Sequence, residues 1–290
     1  MRQSGQTSRI RFARIALGLI FLLLAVLTVS SSVRASTLAV IDPEQNDVSA
    51  KVAEALKVAL SRHEKVLDIG LSDAAFRSFR LESPFNLDSQ TARSVGAAVG
   101  CRFYVLVRSD VQRRSSFGRE EYYEAHAAFF LVDSVTGALD EWLFSVFEED
   151  SPLEAERKLL RSMEETARRL ASASAEAIEK NAAAVQVSER ESGSDDIRSA
   201  MPYRRLKPEY TSLADLYGVE ATVDAEARIA ADGTVLEVKI MRWAGYGLDE
   251  SVISAVRTMQ WRPAERKGEF LPMSVLLRYN FRDIENETEN

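Results

Sequence analysis

The stretch GVEATVDAEARIAADGTVLEVKI, residues 218–240, decides the fold of the carboxy-terminal third of this chain. Val219, Ala221, Val223, Ala225, Ala227 and Ile229 fall on alternate positions, with Glu220, Thr222, Asp224, Glu226 and Arg228 between them. Alternation with a period of two sets one face of a strand against a core and leaves the other in water. Asp232-Gly233, inside ADGT, is a strong hairpin signal, because glycine accepts the positive φ of a tight turn. Val235, Val238 and Ile240 then continue the partner strand.

The segment GYGLDESVISAVRTMQWRPA, residues 245–264, follows the hairpin. A glycine-rich bend leads to Asp249, a residue type that accepts hydrogen bonds from the free amides of a helix start. Val252, Ile253, Val256 and Met259 recur at helical spacing and are expected to cover the packed face of the hairpin. Pro263 drives Arg262 out of helical geometry. RKGEFLP (266–272) reads as another turn and MSVLLRYNF (273–281) as the last strand. The expected product is an α+β unit with a three-stranded antiparallel sheet.

Residues 36–150 predict a different layer. TLAVID (37–42) and KVLDIG (65–70) read as strands, and 47–62 as a helix capped by Asp47, with Val48, Val52, Leu56 and Leu60 on one face. Helical patches cover 72–79 and 88–100, the second framed by Asp88 and Gly100. Strands are expected over 101–111, 121–133 and 138–149, with a polar exposed loop at 112–120 and a turn at 134–137 in which Gly137 takes positive φ. The order β-α-β-α-α-β-β-β is a mixed α/β layer domain.

Ser151-Pro152 starts a helix, with a capping residue followed by proline in the first turn. Leu160, Met163, Ala167, Leu170, Ser174 and Ala177 alternate three and four apart. That spacing fits a coiled-coil seam, or a helix whose first half packs on the preceding sheet and whose second half is a solvated stalk. Helical from 152 to 187, it spans about 50 Å. SERESGSDDIRS (188–199) is a flexible joint. The connector thus covers 151–206, the last unit 207–283, and a disordered tail 284–290.

At the amino terminus Arg2, Arg9, Arg11 and Arg14 precede IALGLIFLLLAVLTV (15–29). A basic flank and an apolar run mark export, either as a cleaved signal ending at Ala35 or as an anchor over 15–33; a spanning helix needs ~20 apolar residues. In both cases the remainder is exported, hence periplasmic.

The 290 residues carry a net charge of −7 and a pI near 5.2, which argues against nucleic acid, a partner that demands a basic surface. Cys101 alone cannot form an internal disulfide, so cores must hold the exported units together. Its reading is a small apolar residue at the start of a strand. His63 and His126 are the only histidines. No paired metal spacing, nucleophile elbow or phosphate loop is present. No catalytic residue, cofactor or metal ligand is therefore assigned, and Glu148-Glu149-Asp150 reads as a solvated strand end.

Two resemblances follow from these residues. Ala92-Arg93, Gly96 and Gly100, then the strand from Cys101, then Asp133, Thr136, Gly137 and Leu139 resemble the domain of TolB amino-terminal and CsgG-type periplasmic proteins. That resemblance implies a fold and an interaction role. Pro208, Tyr210, Gly218, Val219, Asp232, Gly233, Val235, Leu248, Asp249, Ala255, Val256, Trp261, Pro263, Ala264, Gly268 and Pro272 resemble the carboxy-terminal domain of the energy transducer TonB. This second resemblance implies a three-stranded sheet with two helices that binds an extended segment of an outer-membrane receptor, or of another envelope protein, by strand addition. The binding edge it implies is Ser274, Val275, Leu276, Leu277, Arg278, Tyr279, Asn280 and Phe281, with Pro208 and Tyr210 nearby.

The family also implies contact with inner-membrane motor proteins. Residues 15–33 contain no histidine, however, and the family's proline-rich spacer is replaced by the Ala/Glu-rich helix. Tyr210 is followed by Thr211 rather than proline, and Ala221 stands where a second glycine is usual. A non-transducing periplasmic scaffold is the alternative reading.

Overall fold

The computed structural model describes residues 37–184 and 197–282. The run at 15–33, most of the joint and the tail beyond 283 lie outside the described residues. Among the described residues no helix is long and apolar enough to cross a membrane.

Five strands form the first sheet: β1 (Thr37–Ile41), β2 (Lys65–Val66), β3 (Phe103–Ser116), β4 (Arg119–Asp133) and β5 (Leu139–Glu149), in the order β2-β1-β3-β4-β5. β1 runs parallel to β2 and β3, while β3, β4 and β5 make an antiparallel meander. Phe103, Val105 and Val107 face one core, and Tyr104 and Leu106 the other. Both faces are covered, which is why FYVLV and AAFFLV read as continuous apolar runs.

One face carries α1 (Asp47–Leu60), α4 (Pro152–Arg161) and α5 (Met163–Ala184). The other carries α2 (Ile69–Arg77), α3 (Ser89–Val99) and the carboxy-terminal unit. In that unit β7 (Ala221–Ile229), β8 (Val235–Arg242) and β12 (Met273–Phe281) form an antiparallel sheet of order β12-β7-β8. α6 (Ser212–Leu216) precedes β7, and α7 (Leu248–Thr258) covers the buried face with Val252 and Val256. Short strands β6 (Met201–Pro202) and β9 (Trp261–Arg262) pair with each other, as do β10 (Ala264–Arg266) and β11 (Glu269–Leu271). The fold is α+β, with a three-stranded module joined to a mixed α/β layer.

Several expectations need correction. α1 is capped by Asn46, whose side chain accepts from Val48 and Ser49, while Ser49 reciprocates to the Asn46 amide; Asp47 is already inside the helix. The second strand stops at Val66 because Asp68 caps α2, accepting from Leu71. Residues 112–120 are no loop: β3 and β4 extend through them as a long hairpin turning at Phe117-Gly118.

The second half of the helix after Ser151 is no free stalk. Met163, Ala167, Leu170, Ser174 and Ala177 are all buried, because α5 lies back along the sheet beside α1. The three-and-four spacing therefore serves an intrachain seam. Asp249 is not the cap of α7, which starts from Gly247 in left-handed geometry with no side-chain cap bond. Its buried carboxylate instead accepts from the amides of Ala244 and Gly245, pinning the bend before the helix.

The two layers meet through that bend. Asn86 donates to the carbonyls of Thr222 (2.8 Å) and Trp243 (2.7 Å) and accepts from the Thr222 amide (3.0 Å). Tyr246 enters an aromatic cluster of the first sheet, with ring centroids 4.9 Å from Trp142, 6.1 Å from Phe144 and 6.3 Å from Phe130.

Candidate functional site

The candidate site is the outer edge of β12. Nine residue pairs, from Met273↔Ile229 to Phe281↔Ala221, register β12 on β7. Leu277, Tyr279 and Phe281 are buried and Ser274, Leu276, Arg278 and Asn280 exposed, as period-two geometry requires. Met273 and Val275 are half-buried against the core. Among the described residues no strand pairs with the other side of β12.

The opposite edge of this sheet is occupied near the end of β8. Asp88 bridges Arg242, the Leu87 carbonyl accepts from the Trp243 amide (3.4 Å), and Ser89 Oγ donates to the Met241 carbonyl (2.9 Å). The first layer thus supplies main chain to one edge, while among the described residues no strand lies on the other, where Arg205 takes the Arg278 carbonyl. An unpaired edge is a template for pairing with another chain.

Electrostatics stiffen the exposed face. Arg278 donates to both Asp224 oxygens, Nε at 2.7 Å and Nη2 at 2.9 Å, and Arg242 approaches the same carboxylate at 3.4 Å. The Arg278 hydrogen bonds hold Asp224 below the usual carboxylate range, against the opposing effect of burial. The ladder Arg278–Asp224–Arg242 ties all three strands and continues to Asp88 at 3.3 Å.

The segment 203–210 runs beside the edge. Tyr210 stacks on Phe281 at 6.2 Å and its hydroxyl donates to the Val219 carbonyl at 3.1 Å. Pro208 is buried and lines a groove with Gly247, Ser251 and Ala255 at α7, with no β12 residue in it. Arg205, which the sequence reading did not single out, donates to the Arg278 carbonyl and lies 4.5 Å over the Tyr279 ring. No local pattern in MPYRRLKP marks it, since its partners are over seventy positions away.

The other titratable residues are spread elsewhere. Cys101 sits at the start of β3 near Ser134 Oγ (3.7 Å), and burial pushes its thiol up to about 11. His63 lies beyond α1, 4.0 Å from Glu164, while His126 is buried in β4. Glu148 and Asp150 pair with Arg119. Among the described residues no group of three or more His, Cys, Asp or Glu could hold a metal ion.

Comparison with known proteins matches residues 207–282 to the family described as Gram-negative bacterial TonB protein C-terminal. Among solved structures, the Pseudomonas aeruginosa TonB carboxy-terminal domain is 21% identical, with 31% of this chain and 90% of that chain covered and a TM-score of 0.26. A PelC dodecamer from Paraburkholderia phytofirmans is 11% identical, covering 47% and 88% at a TM-score of 0.31. The lipoprotein GNA1162 from Neisseria meningitidis is 12% identical, covering 47% and 99% at a TM-score of 0.33. No curated protein matches the chain.

Proposed function

We propose that this chain, whose residues 207–282 are a domain of the TonB carboxy-terminal family, is a periplasmic envelope protein that takes up an extended partner segment along β12. The observation that carries this reading is the asymmetry of the sheet. Residues 86–89 engage the β8 side, and among the described residues no strand pairs with the outer side of β12. Main-chain bonds along 274–281 supply affinity in such a mode, and the alternating side chains supply selectivity. Leu276, Arg278 and Asn280 would meet the exposed side of an incoming strand. An outer-membrane receptor, or another envelope protein, is the partner class.

Energy transduction to that receptor is the stronger form of the proposal. The position of α5 favours the alternative of a non-transducing scaffold. A helix folded back on its own sheet gives no reach across an envelope, and residues 15–33 lack a histidine.

The two forms separate on anchoring. Mass spectrometry of the mature amino terminus tests the transducing form: retention of residues 15–33 supports it, and a free end at Ser36 removes it. Strand uptake is tested by titrating the chain with synthetic extended peptides from the periplasm-facing ends of outer-membrane receptors. Binding that leaves 273–281 unaffected removes the docking role.

A further inference from the structure

A second polar site lies where the carboxy-terminal module meets the first sheet. His126 on β4 is only 5% exposed. Its ring lies 4.7 Å from Tyr217 of the module and 6.0 Å from Phe144 on β5. Its Nδ1 is buried without a hydrogen-bond partner and stands 3.8 Å from Glu124 Oε1. That oxygen already accepts from the Tyr217 hydroxyl at 2.9 Å and from Arg114 Nη2 at 3.2 Å. Tyr217 is thereby both a hydrogen bond from the module to the sheet and one wall of the imidazole's enclosure.

The neighbouring charges come from every packed element. Glu124 shares β4 with His126; Asp110, Arg108 and Arg114 come from β3. Arg108 also pairs with Glu44 at 3.2 Å, and Tyr246 of the module faces it. From β5 the facing group is the apolar Phe144. A proton on His126 would add a buried charge near two guanidinium groups, with the Glu124 oxygen already shared. Burial is the largest influence on His126 and lowers its proton affinity, outweighing the pull of Glu124 and Asp110.

We infer that His126 is a proton-sensitive latch: the neutral imidazole fits the docked module, and protonation favours release of the module from the sheet. Release removes the Tyr217 wall and hydrates the ring, returning it toward the ordinary histidine value of about 6.5. The docked state binds the proton less well. Docking is therefore full above about pH 6.5 and falls below it, by at most about tenfold per pH unit for one proton. This inference concerns the docking of the module and stands independently of strand uptake at β12.

Hydrogen exchange of the full chain between pH 7.5 and 5.5, corrected for the intrinsic pH dependence of exchange, tests it. The expected result is lost protection at 214–219 and 243–247 below about pH 6.5, approaching tenfold per unit, with 103–107 and 127–132 still protected. In His126→Gln, which cannot gain the proton, that loss toward low pH should be absent at 214–219 and 243–247. Should that variant fail to fold, NMR titration of His126 in the native chain decides instead, with a value below that of an ordinary histidine expected. Unchanged protection down to pH 5.5, the same loss in His126→Gln, or an imidazole already protonated at pH 7.5 would each overturn the latch.

Discussion

Gly245 sits so close to Trp142 that a β-carbon on it would lie 2.6 Å from the indole ring. Its φ of +71° is also one that L side chains rarely adopt. The two constraints coincide at the junction: the bend that takes Tyr246 into the aromatic cluster also runs directly against Trp142 of the sheet. A glycine that looks like turn punctuation is a contact surface.

Gly245→Ala should therefore undock or distort the module rather than merely stiffen a turn. Strain and overpacking together should cost about 2–4 kcal/mol. Urea unfolding followed by tryptophan fluorescence checks this, since Trp142 and Trp243 both flank the contact. A loss below 0.5 kcal/mol, the ordinary effect of a surface substitution, would contradict it.

Asn86 is the second joint. One amide side chain satisfies two carbonyls and one amide of the module. Asn86→Ala leaves these groups without their partner, at a cost of about 1–3 kcal/mol. Asn86→Asp keeps the acceptor but loses both donors and sets a carboxylate against two carbonyls, so it should be at least as damaging. Thermal melting of the three proteins side by side gives the order.

Asp249 gives a pH dependence of known sign. Burial pushes its carboxyl up to about 7 even though the amides of Ala244 and Gly245 pull the other way. A folded value raised above the unfolded one, near 3.9, favours the protonated form in the fold. Asp249 therefore contributes most below about pH 4, and its contribution declines as pH rises toward 7. His126 has the opposite sign, so the comparison belongs in a His126→Gln background. There, stability by urea unfolding should fall from pH 4.5 to 7, and Asp249→Asn should flatten the decline while lowering stability at the acid end.

Much of the module was legible because its information is local. Alternation from Val219 to Ile229, the Asp232-Gly233 turn and the apolar face of 252–259 each lie within a dozen residues. Asp88 and Gly100 frame α3 for the same reason. Caps are less legible: Asn46 and Asp47 are adjacent polar residues, and Gly247 starts a helix for which Asp249 is the capping residue type two positions on. The polar residues of 112–120 suit an exposed hairpin as well as a loop, and composition cannot separate these. The seam from Met163 to Ala177 has a period but no sign of what it packs on.

The site divides along the same line. Ser274 to Phe281 could be read as part of the last strand, and as a binding edge only through the resemblance to the TonB carboxy-terminal domain, whereas the occupied opposite edge could not be read at all. That closure depends on Asn86, Asp88 and Ser89 meeting residues more than 130 positions away. Arg205 and the His126–Glu124–Tyr217 cluster are equally long-range.

Docking at the outer edge of β12 requires that residues 274–281 pair with an extended partner segment. Backbone amide NMR of the full chain, titrated with a receptor-derived extended peptide, reads this pairing residue by residue. Shifts and new exchange protection are expected at 274–281 and its neighbours Arg205 and Tyr210 alone, with 86–89 and 241–243 unchanged. Shifts centred on another face, with 274–281 unprotected at saturation, would contradict it.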